Sequence, residues 1–205
     1  MKSALVFFAI VLSILVFAGC TSKQYKYPHV LVYTEAGDIE LELYPDKAPR
    51  SVAAFLSYVD SGYYTNTSFY RVLSLDNQPT GTNASELIQG GLWASKKRRD
   101  VLPGIPHEST KQTGLLHENG TLSLARLEPG TATTEFFICI GKQPGFDYGG
   151  ASNPDGQGYA AFGKVVEGMD VVFKIYKRPE ENQYFTKPIK INKVVVMSRG
   201  KTGGM

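Results

Sequence analysis

Apolar and polar positions are unevenly arranged along the chain. Ala4 to Ala18 is apolar throughout except for Ser13, and Lys2 is the only charge before Lys23. A basic residue ahead of a long apolar run is the pattern of an export signal. The run falls short of the roughly 20 apolar residues that a membrane span needs. From Val30 the pattern changes to alternation. Val30 to Tyr33 and Ile39 to Leu43 flank Ala36-Gly37-Asp38. In the second run Ile39, Leu41 and Leu43 share one face and Glu40 and Glu42 the other, which predicts a half-buried antiparallel hairpin.

The period then becomes helical. Val52, Phe55, Leu56 and Val59 make one apolar stripe, Pro49 suits a first turn and Gly62 a C′ position, which predicts a helix over 48–62. Strands are expected at 68–73, 120–126, 135–140, 159–166 and 189–197, and a short helix at 170–176 with Val171, Val172 and Ile175 apolar. The stretches 76–85, 94–119 and 142–158 are polar or rich in Gly and Pro and read as loops. Short strands at fairly regular spacing, with two helices, predict a closed antiparallel sheet.

Composition narrows the picture. The chain has 205 residues, enough for one domain with a full core. Its 12 Tyr, 11 Phe, 21 Gly and 11 Pro speak against a coiled coil or wholesale disorder. A net charge of +3 gives no reason to expect a nucleic-acid partner. The run Lys96-Lys97-Arg98-Arg99 could steer the protein to an anionic surface, but with Asp100 and Glu108 nearby it reads first as a solvated loop.

Two cysteines, Cys20 and Cys139, are too few for a disulfide framework. Cys139 lies in the apolar run 136–140 and reads as a buried thiol. Cys20 directly follows Ala18-Gly19 at the end of the leader. Small residues before a cysteine at that place resemble the lipobox of bacterial lipoproteins, although Phe17 stands where Leu is usual. That resemblance implies a signal peptide over 1–19, acylation of Cys20, a tether over 20–28 and an exported chain held at a bacterial membrane through its lipid. An ordinary secretory signal or an uncleaved anchor are the other readings of this stretch.

Several motifs occur in a telling order. They are Gly37-Asp38-Ile39-Glu40-Leu41, Ala48-Pro49, Phe69-Tyr70-Arg71-Val72, Ile88-Gln89-Gly90-Gly91, Gly120 to Arg126, Phe136-Phe137-Ile138, Phe162-Gly163-Lys164-Val165 and Gly168-Met169-Asp170. Together they resemble the cyclophilin-type peptidyl-prolyl cis-trans isomerases over roughly Val30 to Arg199. The resemblance implies a mainly β fold, an eight-stranded antiparallel barrel capped by two α-helices, over 29–199, with a tail at 200–205. It implies no metal and no organic cofactor, proline-containing polypeptides as partners, and a monomer. Arg71 matches the family's catalytic arginine and Gln89 its partner glutamine. Phe137 matches the pocket phenylalanine, Leu87 and Phe146 stand at further pocket positions, Tyr159 at the pocket rim, and Ala125 and Arg126 in the segment that binds substrate backbone.

The departures carry expectations of their own. Tyr70 replaces a His beside the arginine. Glu86 stands where an aromatic pocket residue is usual, which puts part of the pocket in doubt, although the inserted loop before it could shift this position. Glu135 replaces a Gln, adding an acidic group near the cleft that could pair with Arg126 or Arg71. The spacing from Arg71 to Gln89 is longer than usual, so 76–85 is expected to form an enlarged loop beside the cleft. Two functions follow. One is an active isomerase assisting the folding of exported proteins; the other is a catalytically weak proline-peptide-binding or chaperone module on the same fold. A secreted hydrolase lacks support, because there is no nucleophile elbow and His29, His107 and His117 lie in loops or at a strand end.

Overall fold

The computed structural model describes residues 24–81, 84–93 and 101–201. The leader, Cys20, the basic run 96–99 and two residues of the 76–85 loop lie outside them. The expected hairpin forms as β1 (Pro28–Thr34) and β2 (Gly37–Leu43). The other strands are β3 (Thr67–Leu73), β4 (Leu87–Gly91), β5 (Thr121–Leu124), β6 (Phe136–Cys139), β7 (Ala160–Glu167), β8 (Glu180–Glu181) and β9 (Tyr184–Arg199). Eight of them run in the order β1-β2-β7-β5-β6-β4-β3-β9, all neighbours antiparallel, and β9 pairs back with β1 to close a barrel. Strand β8 is a short addition hydrogen-bonded to β9.

Alternation sorts the side chains. Ile39, Leu41 and Leu43 of β2 join Phe69, Ile88, Leu122, Phe136, Ile138, Phe162 and Ile189 in one cluster drawn from every barrel strand, which is the barrel interior. The intervening residues of β4 and β6 belong to a second, smaller cluster of Leu87, Phe137, Cys139 and Phe146. Because Leu87 alternates with Ile88 and Phe137 with Phe136 and Ile138, this second cluster lies on the outer face of the sheet. Burial pushes the Cys139 thiol up, so it stays protonated.

The helices depart from the expectation in number. Helix α1 (Pro49–Asp60) and helix α3 (Met169–Tyr176) match the two expected, and a four-residue helix α2 (Thr110–Thr113) lies within the segment read as loop. Its Ser109–Gln112 capping box is sound, but one turn is too short to show a helical period. Strand β4 also has no counterpart among the expected elements, since its paired glycines interrupt the alternation. Strand β9 starts five residues earlier than expected, because Lys187-Pro188 breaks the pattern that marks 189–197. Glu40 and Glu42 are not simply solvated. Glu40 is buried, with His29 Nδ1 2.5 Å from its carboxylate, and His29 Nε2 lies 3.3 Å from Glu42.

Helix α1 has no capping side chain of its own. Glu108, 57 residues away from Ser51 in sequence, supplies the acceptors instead. Its Oε1 accepts from Arg50 N–H (3.1 Å) and its Oε2 from Ser51 N–H (2.8 Å) and Ser51 Oγ (2.7 Å). A carboxylate suits the positive end of a helix. The same contact pins the 101–109 segment, whose Ile105 N–H donates to Ala132 C=O at 2.8 Å. Glu108→Ala is expected to lower stability by about 2 kcal/mol. Urea unfolding checks this; a change of midpoint no larger than that of an exposed-surface alanine would refute the cap.

Candidate active site

Strand β3 pairs with β4 so that Phe69 faces Gly90 and Arg71 faces Gln89, which leaves Tyr70 as an extra residue. This is a β-bulge. Its effect is that two successive residues, Tyr70 and Arg71, reach the same outer groove, while Phe69 is fully buried in the barrel. The glycines of β4 make room for this arrangement. A Cβ on Gly90 would lie 2.9 Å from the Phe69 ring, and one on Gly91 (φ +146°) 2.7 Å from the Glu135 carboxylate. The groove has a volume of about 1040 Å³. All nine residues assigned to the site from the sequence line it: Arg71, Leu87, Gln89, Ala125, Arg126, Glu135, Phe137, Phe146 and Tyr159.

A chain of polar contacts crosses one side. Tyr70 Oη donates to Glu135 Oε2 at 2.7 Å, and Gln89 Nε2 donates to Tyr70 Oη at 2.6 Å. Arg71 Nη1 donates to Gln89 Oε1 at 3.2 Å, and Arg71 Nη2 to Gln183 Oε1 at 2.6 Å. The directions are coupled. Tyr70 has one proton and spends it on the carboxylate, so its oxygen accepts, and Gln89 turns its NH2 to Tyr70 and its carbonyl to Arg71. Burial first, and Glu135 second, push the Tyr70 hydroxyl well above its ordinary value, so that proton stays in place. The guanidinium is thus held by two neutral amide oxygens. Its Nε–H is buried without a hydrogen-bond partner.

The other side is aromatic. Phe137, opposite Gln89 in register, meets Phe146 and Tyr159 edge-to-face at 5.3 Å each. Leu87 and Ala125 pack around them. Beneath Phe137 lies His117, only 2 % exposed and stacked at 6.0 Å, although its sequence context reads as loop. Its Nδ1 is 2.7 Å from Asp147 Oδ1 and its Nε2 2.9 Å from Ser123 Oγ. A Ser-His-Asp order suggests a nucleophile, but Ser123 is 0 % exposed, so no substrate reaches it. The trio braces the pocket floor from behind. Trp93 and Tyr184 each stack with Tyr70, at centroid distances of 5.5 and 6.4 Å, and also line the groove. No sequence signal marks either as a site residue, since lone aromatics there carry no motif.

Two expectations are corrected. Glu86 does not enter the groove. It precedes Leu87, so alternation turns it away, and it accepts a hydrogen bond from Tyr176 Oη at 2.5 Å. Glu135 holds Tyr70 and the Leu92 N–H (2.7 Å) rather than either arginine. Arg126 is spent elsewhere, on Asp155 through two bonds of 2.7 and 2.9 Å and on the Gly158 and Leu127 carbonyls. With its side chain 1 % exposed, it bolts the 125–127 segment to the 155–158 loop and leaves only backbone to face a peptide.

The Arg126 hydrogen bond, then that of the Gln157 N–H, hold the Asp155 carboxyl down to about 2. A depressed carboxyl contributes stability above its unfolded-state value of about 3.9 and loses it as pH falls through the folded value. Asp155→Asn is therefore expected to lower the thermal midpoint at pH 7, with the gap to the native chain closing between about pH 4 and pH 2. Melting curves across that range test it; a gap independent of pH would count against the bolt.

Comparison with known proteins bears on this geometry. Residues 29–196 match the family model described as cyclophilin type peptidyl-prolyl cis-trans isomerase. The chain is 39% identical over 168 residues to peptidyl-prolyl cis-trans isomerase A of Dickeya dadantii, covering 81% of this chain and 77% of that one. It is 36% identical over 154 residues to isomerase B of Escherichia coli, covering 71% and 82%. The fold is also that of a Cryptosporidium parvum cyclophilin-type isomerase solved in the presence of the dipeptide Ala-Pro, with a TM-score of 0.65 and 23% identity over 83% of this chain and 99% of that one. With a closed barrel, an outer groove and a family match over most of its length, the chain belongs to the cyclophilin-type peptidyl-prolyl cis-trans isomerases.

Proposed function

We propose that the groove catalyses rotation about Xaa-Pro bonds with Arg71 as its electrostatic catalyst, and that the clients are exported polypeptides. The observation that carries this reading is a guanidinium that, among the described residues, is held by two neutral amide oxygens beside an aromatic pocket. A planar prolyl amide resists rotation by about 18–20 kcal/mol because twisting breaks its resonance. In the twisted state the prolyl nitrogen regains its lone pair. A fixed positive charge with directed N–H groups favours that state over the planar one. Phe137, Leu87, Phe146 and Tyr159 would hold the proline ring. Ala125 and the Arg126 backbone would hold the chain while the rest of the bond turns. Helices α1 and α3 would close the two barrel ends, in keeping with the packing of Phe55 on Phe136 and Phe162.

The non-catalytic reading rests on the long 76–85 loop and on Glu86 in the pocket. Glu86 binds Tyr176 instead, so the second reason lapses. The 76–85 loop borders the groove through Gln78, Gly81 and Ser85, and Gln78 ties it together by bonds to Ser74 C=O (2.7 Å) and Ser85 C=O (2.8 Å). That position suits a loop that tunes peptide access. The apolar stretch ending in Ala18-Gly19-Cys20 supports export and acylation of Cys20, which would leave a monomeric domain tethered to a membrane surface.

In a coupled isomerisation assay on an Xaa-Pro peptide, with the chain from residue 21, Arg71→Ala is expected to lower kcat/KM about 100-fold or more. Equal rates would sink the mechanism. Arg71→Lys should also lose most activity, since an ammonium lacks the fork that engages two acceptors at once. For the anchor, Cys20→Ser in the full chain is expected to abolish labelling by a fatty-acid analogue and to move the protein out of the membrane fraction. Retained labelling would refute acylation at that cysteine.

A further inference from the structure

The hairpin between β8 and β9 turns on two residues, Asn182 and Gln183, both with positive φ, 52° and 72°. Two such central residues make a type I′ turn, which ordinarily takes Asn and then Gly. Asn182 follows that preference and Gln183 does not. An L side chain at the second position is strained, and strain of this kind persists where something else depends on the side chain. The surroundings hold the backbone in place. Gln183 N–H donates to Glu180 Oε2 at 2.7 Å, and its carbonyl accepts from Val72 N–H at 2.8 Å. Glycine would serve both of those backbone contacts equally well. What glycine would lose is the side chain, and that side chain reaches the Arg71 guanidinium, 112 residues away, at 2.6 Å. Its amide nitrogen donates onward to Asn77 C=O at 3.3 Å, which fixes which end faces the arginine.

We propose that Gln183 is a positioning residue for Arg71, holding Nη2 as Gln89 holds Nη1. The two braces fix the plane of the guanidinium from two directions. Both offer an uncharged oxygen, so the positive charge stays available to the twisting amide. A carboxylate would hold the arginine as firmly but would draw its field onto itself. This inference rests on Arg71 being the catalytic group.

The test is Gln183→Gly, which suits the turn better than the native residue. The expected result is a thermal midpoint equal to or above that of the native chain, with kcat lowered about tenfold, the scale of one lost charge-assisted bond. Peptide affinity should change little. It can be read from the fluorescence of Trp93, the single tryptophan, which lines the groove. A second variant, Gln183→Glu, keeps an acceptor but adds a negative charge, and its kcat is also expected to fall without loss of the thermal midpoint. Native turnover in either variant overturns the proposal. Arg71→Ala run alongside separates the two layers: if it retains native turnover, the assignment of Arg71 fails, whereas an inactive Arg71→Ala beside a fully active Gln183→Gly sinks only the role of Gln183.

Discussion

The site depends on one extra residue in β3. Without the bulge at Tyr70, alternation would send Tyr70 and Arg71 to opposite faces of the sheet, one into the barrel and one out of it. The inward option is closed to a polar side chain, because that space is filled by Phe69, Phe136 and their neighbours. The bulge instead delivers a phenol and a guanidinium side by side on the outer surface. Gly90 is what lets Phe69 pack directly beneath, and Gly91 is what lets Glu135 come close enough to hold the phenol. Barrel packing and site chemistry are therefore two consequences of the same local register.

From that register the electrostatics follow. At an effective dielectric near 20, a carboxylate about 4 Å from a guanidinium interacts by about 4 kcal/mol. That is as large as the stabilisation one well-aimed donor contributes to a transition state, about 3–4 kcal/mol. An arginine paired to an acid would thus have little field left for a substrate. Here Glu135, the acid on this side of the groove, is engaged by Tyr70, and the arginine rests on glutamine amides. Arg126 shows the opposite disposition. Its charge is matched by Asp155 and its remaining donors are spent on carbonyls, which suits a structural bolt rather than a catalyst.

The floor of the pocket is held by comparable means. Phe137 would be one ring among several if only apolar contacts fixed it. His117 behind it is bonded at both ring nitrogens, so the surface it offers to Phe137 has a set orientation. Buried polar groups of this kind are costly when unpaired and rigid when satisfied. The pocket gains shape from the second property.

Much of the fold was legible in the sequence because it rests on short-range periodicity. The alternation of Ile39, Leu41 and Leu43 marked a strand, and the stripe Val52, Phe55, Val59 marked α1, since each pattern needs only its own few residues to be read. The ordered motifs placed nine side chains that do gather in one groove. What only the tertiary structure decided was which groups pair. Alternation tells which face a residue takes, not what stands opposite it, so it names no partner for Glu86 and leaves Glu135 matched to Arg126 or Arg71 by charge alone. The partners come from a helix, a strand, a loop and a turn: Tyr176 for Glu86, Tyr70 for Glu135, Asp155 for Arg126 and Gln183 for Arg71. Those pairings are set by the register of the closed sheet, and a closed sheet fixes its register only when all eight strands are in place.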